Sequence, residues 1–369
     1  MTPRSPAPLL AAGLLAAAAV ATGAPAAQAA GERGPQGASV LSVEPNDTAI
    51  DGWGGWLVWS RRADDGTFGL VARTPEGVGV LLPVPAQTAP IDASIGPGPD
   101  GGPLVVYARC TRPDASPPIG CDVHRIDPRT GVDAPVPSAS LPGVDERAPA
   151  VWGNRIAFSR SVGRPRAGRS AVALTTLDAT EPPSRLIYPP AKERIGTGKR
   201  NFRAYTPDSI DLQGSTLAFV WHATGLRDRW RLVVQRGQRR GKILLTATST
   251  RSTLRRLGRP VLSAGEVTVP RLRTGMRSRS EIYRTTLSGR KAWTLESGFS
   301  GAQTTRYGSA LTAVAAPTPT AMVLVRRLAS DGRWSCKNAA VAEARGCEVL
   351  QVDRAAQPWR KIRPQSEYP

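Results

Sequence analysis

Short apolar segments alternate with polar turns along most of the chain, and this pattern is typical of β-strands. The segments are rich in β-branched and aromatic residues and are bounded by Gly, Asn, Asp or Pro, as in "GNRIAFSR" (153–160) and "QGSTLAFVW" (213–221). Beyond the N-terminus, only "KNAAVAEARG" (337–346) has the composition of a short helix. The pattern therefore predicts an all-β protein.

The strands recur in six similar segments. Each begins with a turn and an apolar strand, and further strand candidates follow after polar loops; the first strands are "DGWGGWLVWSR" (51–61), "GPDGGPLVVYAR" (98–109), "VWGNRIAFSR" (151–160), "DLQGSTLAFVW" (211–221), "LSAGEVTVPR" (262–271) and "TPTAMVLVRR" (318–327). A period of about fifty residues with four short strands predicts a six-bladed β-propeller of four-stranded blades. Two alternatives remain: seven blades, with "ASVLSVE" (38–44) in the closure, or a pair of β-sandwiches.

Two of these segments, "GPDGGPLVVYAR" and "VWGNRIAFSR", resemble the blade motif of TolB-like propellers, in which a Pro-Asp-Gly turn leads into an apolar strand. Only Pro99-Asp100-Gly101 reproduces that turn well. The resemblance covers about residues 45 to 366 and implies a six-bladed propeller. TolB also has an α/β domain before its propeller, which has no counterpart here. The partner-binding role of TolB in envelope assembly is therefore not transferred to any residue.

The N-terminus has the pattern of a cleavable signal peptide. Arg4 is the only charge in the first thirty residues, and it precedes the apolar run Leu9 to Ala21 and the small-residue site Ala27-Gln28-Ala29. The alternative is a retained membrane anchor. We expect a signal peptide over 1–29, an N-terminal segment over 30–44 that takes part in ring closure, and a propeller over 45–366. The mature protein would be secreted, monomeric and without a transmembrane segment.

Four cysteines form two similar pairs in the sequence: Cys110, Cys121, Cys336 and Cys347. Three pairings are possible, and Cys110–Cys121 with Cys336–Cys347 is favoured because each pair brackets one polar loop of equal length. Exported proteins keep disulfides. There is no CxxC motif and no histidine at ligand spacing, so we predict neither a metal site nor a cofactor.

Positive charge is concentrated in the middle of the chain. The net charge of the whole chain is +20, whereas residues 151–300 alone carry 29 Lys/Arg against 9 Asp/Glu and residues 1–150 carry 10 against 15. A basic flank over blades 3 to 5 would attract polyanions. The predicted polyanion-binding residues are Arg227, Arg229, Arg231, Arg239, Arg240, Arg255 and Arg256. The alternative is that the arginine excess only reflects composition.

We expect an anionic envelope polymer, such as a teichoic acid or a surface of anionic lipid headgroups, or else a protein partner. Nucleic acid is not expected, because exported proteins rarely meet it. In addition, Phe202, Tyr205 and Trp230 do not form a stacking series.

Catalytic motifs are weak. No G-x-S-x-G is present. His124 shares a strand face with Asp122, and His222 ends a strand near the expected channel. The carboxylates expected beside the channel are Asp51, Asp92, Asp208 and Asp211. A pair of these carboxylates could perform acid/base chemistry, but we predict no catalytic residue.

The sequence therefore predicts a secreted, non-catalytic binding module of the cell envelope or exterior. The first alternative is a propeller glycan hydrolase or lyase with its site at the mouth of the central channel. The second is a purely structural envelope protein.

Overall fold

The computed structural model of the protein describes most of the chain from residue 35 onward. The described ranges are 35–115, 118–162, 169–183, 185–189, 193–194, 202–203, 205–224, 228–249, 254–274, 279–296, 307–330, 333–334 and 347–364. The predicted signal peptide, Arg227, Cys336 and the "KNAAVAEARG" segment lie outside these ranges.

Blades 1 to 3 follow one another along the chain, and each is an antiparallel sheet of four strands in sequence order. The strands of blade 1 are β2 (Ile50–Trp53), β3 (Trp56–Arg62), β4 (Phe68–Arg73) and β5 (Gly79–Leu81). The strands of blade 2 are β6 (Ala93–Pro97), β7 (Pro103–Arg112), β8 (Ile119–Ile126) and β9 (Asp133–Pro135), followed by the single-turn 3-10 helix Pro137–Ala139. The strands of blade 3 are β10 (Val144–Trp152), β11 (Arg155–Val162), β12 (Arg169–Thr176) and β13 (Arg185–Ile187).

Blade 4 has the same order, whereas blades 5 and 6 recruit extra strands. A short pair, β14 (Glu193–Arg194) and β15 (Phe202–Arg203), precedes blade 4, whose strands are β16 (Tyr205–Gln213), β17 (Thr216–Ala223), β18 (Arg229–Arg236) and β19 (Lys242–Thr248). Blade 5 contains β20 (Leu254–Leu257), β21 (Val261–Ser263), β22 (Glu266–Thr274), β23 (Arg279–Thr286), β24 (Ala292–Glu296) and the C-terminal β29 (Arg360–Ile362). Blade 6 contains β25 (Tyr307–Ala315), β26 (Ala321–Ser330), β27 (Arg333–Trp334), β28 (Cys347–Asp353) and the N-terminal β1 (Ser39–Glu44).

The six blades form a closed ring. From blade 1 to blade 5, the inner strands of successive blades pack against each other. The second strand of blade 5, β22, packs against the inner strand β25 of blade 6, and β25 in turn packs against β2 of blade 1. The prediction of a six-bladed propeller is confirmed. The segment over 38–44, which could have belonged to a seventh blade, instead supplies β1, the outermost strand of blade 6, paired antiparallel with β28.

The apolar core lies between the blades. Buried side chains of the described residues form six clusters, one at each interface between neighbouring blades. Middle strands are covered on both faces, which explains continuous apolar runs such as "LAFVW" in β17. Blades 2 and 3 approach so closely that a Cβ on Gly96 would lie 2.2 Å from the carbonyl oxygen of Val151.

The predicted disulfide between Cys110 and Cys121 is present. It joins directly opposite residues of β7 and β8, so it closes the long hairpin of blade 2 near its tip. Cys347 is also disulfide-bonded, and its predicted partner Cys336 lies outside the described residues. Within the described ranges, no helix is long and apolar enough to cross a membrane.

Candidate functional site

The propeller has two faces that differ in their connections. The turn face has the inner turns, which join the first and second strands of each blade, and the outer turns, which join the third and fourth. The loop face has the hairpins between second and third strands and the connections between blades. Every inner strand therefore begins at the loop face and ends at the turn face.

A pocket of about 300 Å³ lies where the inner strands end, at the mouth of the central channel on the turn face. We call it the channel-mouth pocket. All six blades contribute to its lining, which includes Trp53, Ile95, Trp152, Gln213, Ser263 and Thr318. Since residues from every blade meet there, the pocket lies on the axis of the propeller.

Two of the predicted channel carboxylates, Asp51 and Asp211, line this pocket. Their main role is to accept hydrogen bonds from neighbouring blades. Asp51 accepts hydrogen bonds from the Ser94 hydroxyl (2.6 Å) and the Ile95 amide (3.1 Å) of blade 2. Asp211 accepts one from the Leu262 amide of blade 5, 2.5 Å away. Buried carboxylates that accept such bonds fix the relative position of neighbouring blades.

The electrostatic environment of Asp211 is unusual. Burial, together with the negative charge of Asp51, raises the pKa of Asp211 to about 7, although the Leu262 amide and Arg259 oppose the rise. A carboxyl group with a pKa near 7 exists in both protonation states at neutral pH. The arrangement could exchange a proton, but most oxygen positions of both acids are already used by main-chain amides.

Arg259 crosses the central channel. It lies just before β21 of blade 5, yet its guanidinium donates hydrogen bonds to the carbonyl oxygens of Ala93 (2.5 Å) and Pro149 (2.9 Å). It also forms ion pairs with Asp92 (3.3 Å) and Asp51 (3.8 Å). Blade 5 and blade 2 are opposite each other in a ring of six, so a direct contact between them spans the channel. The Arg259 side chain therefore obstructs the channel next to Asp51, which also lines the channel-mouth pocket.

The other predicted channel carboxylates, Asp92 and Asp208, lie on the loop side of Arg259. The Asp92 side chain is 40% accessible, and desolvation by the surrounding blades raises its pKa against the opposing effect of Arg259. Asp208 lies at a β-bulge of β16, which redirects its side chain. Desolvation also raises the pKa of Asp208, whereas His222, Arg256 and Arg147 oppose the rise.

His222, predicted near a channel mouth, lies close to Asp208. Its ring stacks on Trp230 with centroids 4.3 Å apart, and its Nε2 is 4.0 Å from a carboxylate oxygen of Asp228. Burial lowers the pKa of His222, although Asp208 and Asp228 oppose this effect. Within the described residues, no group of three His, Cys, Asp or Glu side chains could hold a metal ion.

The acid nearest to His124 is Asp133, with Nδ1 and Oδ1 3.7 Å apart, rather than the Asp122 considered from strand alternation. Asp133 begins β9, the short fourth strand, and also accepts a hydrogen bond from the Tyr107 hydroxyl (3.0 Å). Asp122 is instead paired in register with Arg109. Burial lowers the pKa of His124, with Asp133 opposing the change.

The predicted polyanion-binding arginines do not lie together. Arg229 and Arg231 begin β18 and therefore lie at the loop-face end of blade 4, where Arg231 packs 5.1 Å from the ring centroid of Tyr205. Arg255 and Arg256, in β20, belong to the same face, because β20 pairs with the C-terminal end of β22. Arg239 and Arg240 lie in the outer turn of blade 4, on the turn face, and both are exposed. Arg227 lies outside the described residues.

One repeated feature was missed by the sequence interpretation. Five blades have an arginine at the same position near the end of the second strand: Arg61, Arg109, Arg160, Arg271 and Arg326. Blade 4 has the buried Trp221 there. Several of these arginines pair with acids, as in Arg61–Glu44 (2.7 Å) and Arg326–Glu348 (2.5 Å). The sequence contains a signal for this position: in each of the five strands the arginine directly follows the last two residues of the apolar run, which are "WS", "YA", "FS", "VP" and "LV".

No protein-family model matches the sequence, and no curated protein matches it. Solved structures do resemble the fold. TolB from Acinetobacter baumannii is 13% identical with a TM-score of 0.44, and the match covers 83% of this chain and 65% of that chain. A puromycin hydrolase is 14% identical with a TM-score of 0.49, covering 92% of this chain and 57% of that chain.

A fucose-binding lectin from Aleuria aurantia, in complex with α-methyl-L-fucoside, is 9% identical with a TM-score of 0.49, covering 88% of this chain and 97% of that chain. This chain thus spans less than two thirds of the TolB and hydrolase chains. At these identities the likeness concerns the fold alone. The protein has the fold of the six-bladed propellers, which TolB shares.

Proposed function

We propose that this protein is an exported, non-catalytic binding module that docks an anionic polymer of the cell envelope on the turn face of blades 4 and 5. Its export is supported by the Cys110–Cys121 disulfide, because such bonds persist in oxidising compartments. The proposed docking site includes Arg239 and Arg240 and excludes the other predicted arginines.

The observation that carries the proposal is a set of neighbouring, exposed cations in two outer turns. We call these residues the basic turn surface: Arg236, Arg239, Arg240, Lys242, Arg290 and Lys291. The two turns touch, since Lys242 Nζ donates a hydrogen bond to the Ser288 carbonyl oxygen, 2.6 Å away. Neither turn contains an acidic residue, and no carboxylate of the described residues forms an ion pair with any of the six cations.

This arrangement favours binding over mere solvation. Cations that already face carboxylates lose those contacts when they bind an anion, whereas these six gain contacts without such a loss. Arginine also binds phosphate and carboxylate groups in a bidentate manner. Each cation close to an anionic surface contributes about 1 kcal/mol at low salt.

The test is the retention of purified protein on isolated cell-wall and membrane fractions across a salt series. The variant Arg239→Glu/Arg240→Glu should lose retention by about a hundredfold or more at low salt, since two attractions become two repulsions. The matched control is Arg256→Glu/Arg273→Glu, which reverses two exposed charges on the loop face. Absence of low-salt retention by the wild type, or equal losses in both variants, would contradict the proposal.

A glycan hydrolase or lyase acting at the channel mouth is the second candidate. The raised pKa of Asp211, about 7, favours it. Incubation of wall glycan with the wild type and with Asp211→Asn, followed by a count of new reducing ends, tests this candidate. We expect no release by either protein, because the Asp51 and Asp211 oxygens are held by main-chain amides.

A further inference from the structure

The channel-mouth pocket and the basic turn surface are parts of one continuous surface. In blade 4, the outer-turn amide of Gly237 donates a hydrogen bond to the carbonyl oxygen of Ser215 in the inner turn, 2.8 Å away. In blade 5, the Leu287 amide donates in the same way to the Gly265 carbonyl oxygen (3.4 Å). Each cationic outer turn is thus attached to an inner turn whose preceding residues line the pocket. A bound chain could run radially from the pocket across the cations.

The lining of the pocket suits a single sugar ring. Trp53 and Trp152 are half-buried and offer aromatic surface, while Gln213, Ser263 and Thr318 offer hydrogen-bonding groups. A pyranose has apolar C–H faces and a rim of hydroxyl groups, which matches this mixture. A volume of about 300 Å³ is at the lower end of the range for ligand pockets and fits a small group.

The Arg259 side chain restricts how a polymer can enter the channel. It reaches from blade 5 to Asp51 and to the Pro149 carbonyl oxygen, and so obstructs the path of a polymer through the propeller. Only the end of a polymer, or a short branch, can be inserted. Asp51 is already paired with Arg259 (3.8 Å) and Asp211 accepts a hydrogen bond from the Leu262 amide, so an inserted charged group would lose its hydration without finding an unpaired partner. The inserted unit is therefore uncharged, and the charges of the polymer lie outside, over the turns.

We infer that the channel-mouth pocket binds a terminal, uncharged sugar of the polymer whose anionic groups contact the basic turn surface. The ligand is then an anionic glycan held by its end. This inference rests on the proposed function, because it assumes that the basic turn surface binds the polymer. It adds that the polymer is a glycan and that it runs outward from the channel-mouth pocket across the outer turns of blades 4 and 5.

The experiment uses two probes: the anionic glycopolymer extracted from cell walls, and inorganic polyphosphate, which has charge without sugar. Retention on immobilised full-length protein is measured for both. The pocket-filling variant Gln213→Trp should lower glycopolymer retention about tenfold and leave polyphosphate retention unchanged. Gln213→Ala removes one hydrogen-bonding group but leaves the pocket open, so it should lower glycopolymer retention by less than Gln213→Trp does. Periodate oxidation of the terminal sugars should reproduce the loss caused by Gln213→Trp and add nothing to it.

The outcomes separate the inference from the proposed function. If Gln213→Trp keeps full glycopolymer retention, with its sensitivity to periodate unchanged, the pocket does not bind the sugar and the inference is wrong. If polyphosphate retention is insensitive to Arg239→Glu/Arg240→Glu, the proposed function itself is wrong. Matching thermal unfolding of the Gln213 variants and the wild type shows that the variants are folded.

Discussion

Arginines at the loop face and arginines in the outer turns of blades 4 and 5 have different surroundings. On the loop face, arginines form ion pairs with largely buried carboxylates; the pairs are Arg61–Glu44, Arg271–Glu281 and Arg326–Glu348. On the turn face of blades 4 and 5, exposed cations have no acidic neighbour in their turns. The first set connects strands and blades, whereas the second set remains available to a ligand.

This difference explains why a count of charges is a poor guide to function. Residues 151–300 carry most of the excess positive charge, yet many of those arginines contact protein groups, as Arg259 and Arg231 do. Pairing, rather than number, distinguishes a structural cation from one that can bind. The following predictions test whether loop-face charges control stability and turn-face charges control binding.

The largest expected effect concerns the pH dependence of stability and depends on Glu146. This side chain is fully buried on the loop side of blade 3. Burial raises its pKa to about 8, with Arg160 opposing the rise and Asp122 and Asp145 adding to it. Between pH 4.5 and 8 the unfolded chain ionises this carboxyl group while the folded chain keeps its proton. The free energy of unfolding should therefore decrease as pH rises, by up to about 5 kcal/mol.

Urea denaturation at several pH values, with the wild type and Glu146→Gln, measures this effect. The variant lacks the titrating group, so its stability should decrease less across the same interval. Other groups, including Asp211 and His222, titrate in both proteins and cancel in the difference. Parallel pH profiles would show that Glu146 is ionised in the folded protein.

The next effect is the loss of an ion pair between the buried Glu44 and the half-exposed Arg61 at the closure of the ring. Glu44 accepts hydrogen bonds from Arg61 (2.7 Å) and from Trp59 Nε1 (2.9 Å), and it joins β1 of blade 6 to blade 1. Glu44→Ala should lower the free energy of unfolding by about 3–4 kcal/mol, because it leaves the buried Trp59 indole N–H unpaired and removes the charge-assisted bonds to Arg61. Arg239→Ala/Arg240→Ala on the turn face should change it by less than about 0.5 kcal/mol per residue. Similar losses of unfolding free energy in both variants would show that loop-face and turn-face charges contribute equally to stability.

Removal of the blade 2 disulfide should have a smaller effect on stability. Cys110→Ser/Cys121→Ser opens a loop of twelve residues, and chain entropy predicts a loss of about 3 kcal/mol. The hairpin lies at the loop face, so polymer retention by the folded variant should equal that of the wild type. A variant that remains folded but no longer binds would place binding determinants on the loop face.

The smallest effect concerns one exposed cation. For a polyanion with condensed counterions, each contact contributes about 0.7–0.9 to the slope of log binding constant against log salt concentration. Arg240→Ala should reduce that slope by about this amount, whereas Arg256→Ala, on the loop face, should leave it unchanged. An unchanged slope in both variants would remove Arg240 from the binding surface.

Most of the fold could be predicted from the sequence, because each blade repeats the same turn and apolar strand. Residue alternation, as in Arg229 and Arg231 of β18, is a local pattern. It could not show that Arg239 lies at the opposite face, since that depends on how far β18 extends before the chain turns. The acid beside His124 was missed for a similar reason: Asp133 belongs to a fourth strand of only three residues, which has almost no periodic signal.

The site itself depends on ring closure, which no local pattern encodes. Arg259 is one of many arginines in "RSTLRRLGRP" (251–260), and only the closed ring brings Ala93 and Pro149 within reach of it. The hydrogen bonds that Asp51 and Asp211 accept from other blades likewise connect residues that are more than forty positions apart. Sequence reasoning correctly selected these carboxylates as channel residues, but assigned no role to Arg259.

The strands at the two chain ends have a consequence for the order of folding. The N-terminal strand β1 pairs with β28, and the C-terminal strand β29 pairs with β24. In addition, the main-chain N–H and C=O of Gln36 each form a hydrogen bond of 2.9 Å with the side chain of Gln357, 321 residues away. The ring cannot close until the final strands have been synthesised and, for an exported chain, have crossed the membrane. Contacts of such long range slow folding and leave strand edges open in the meantime.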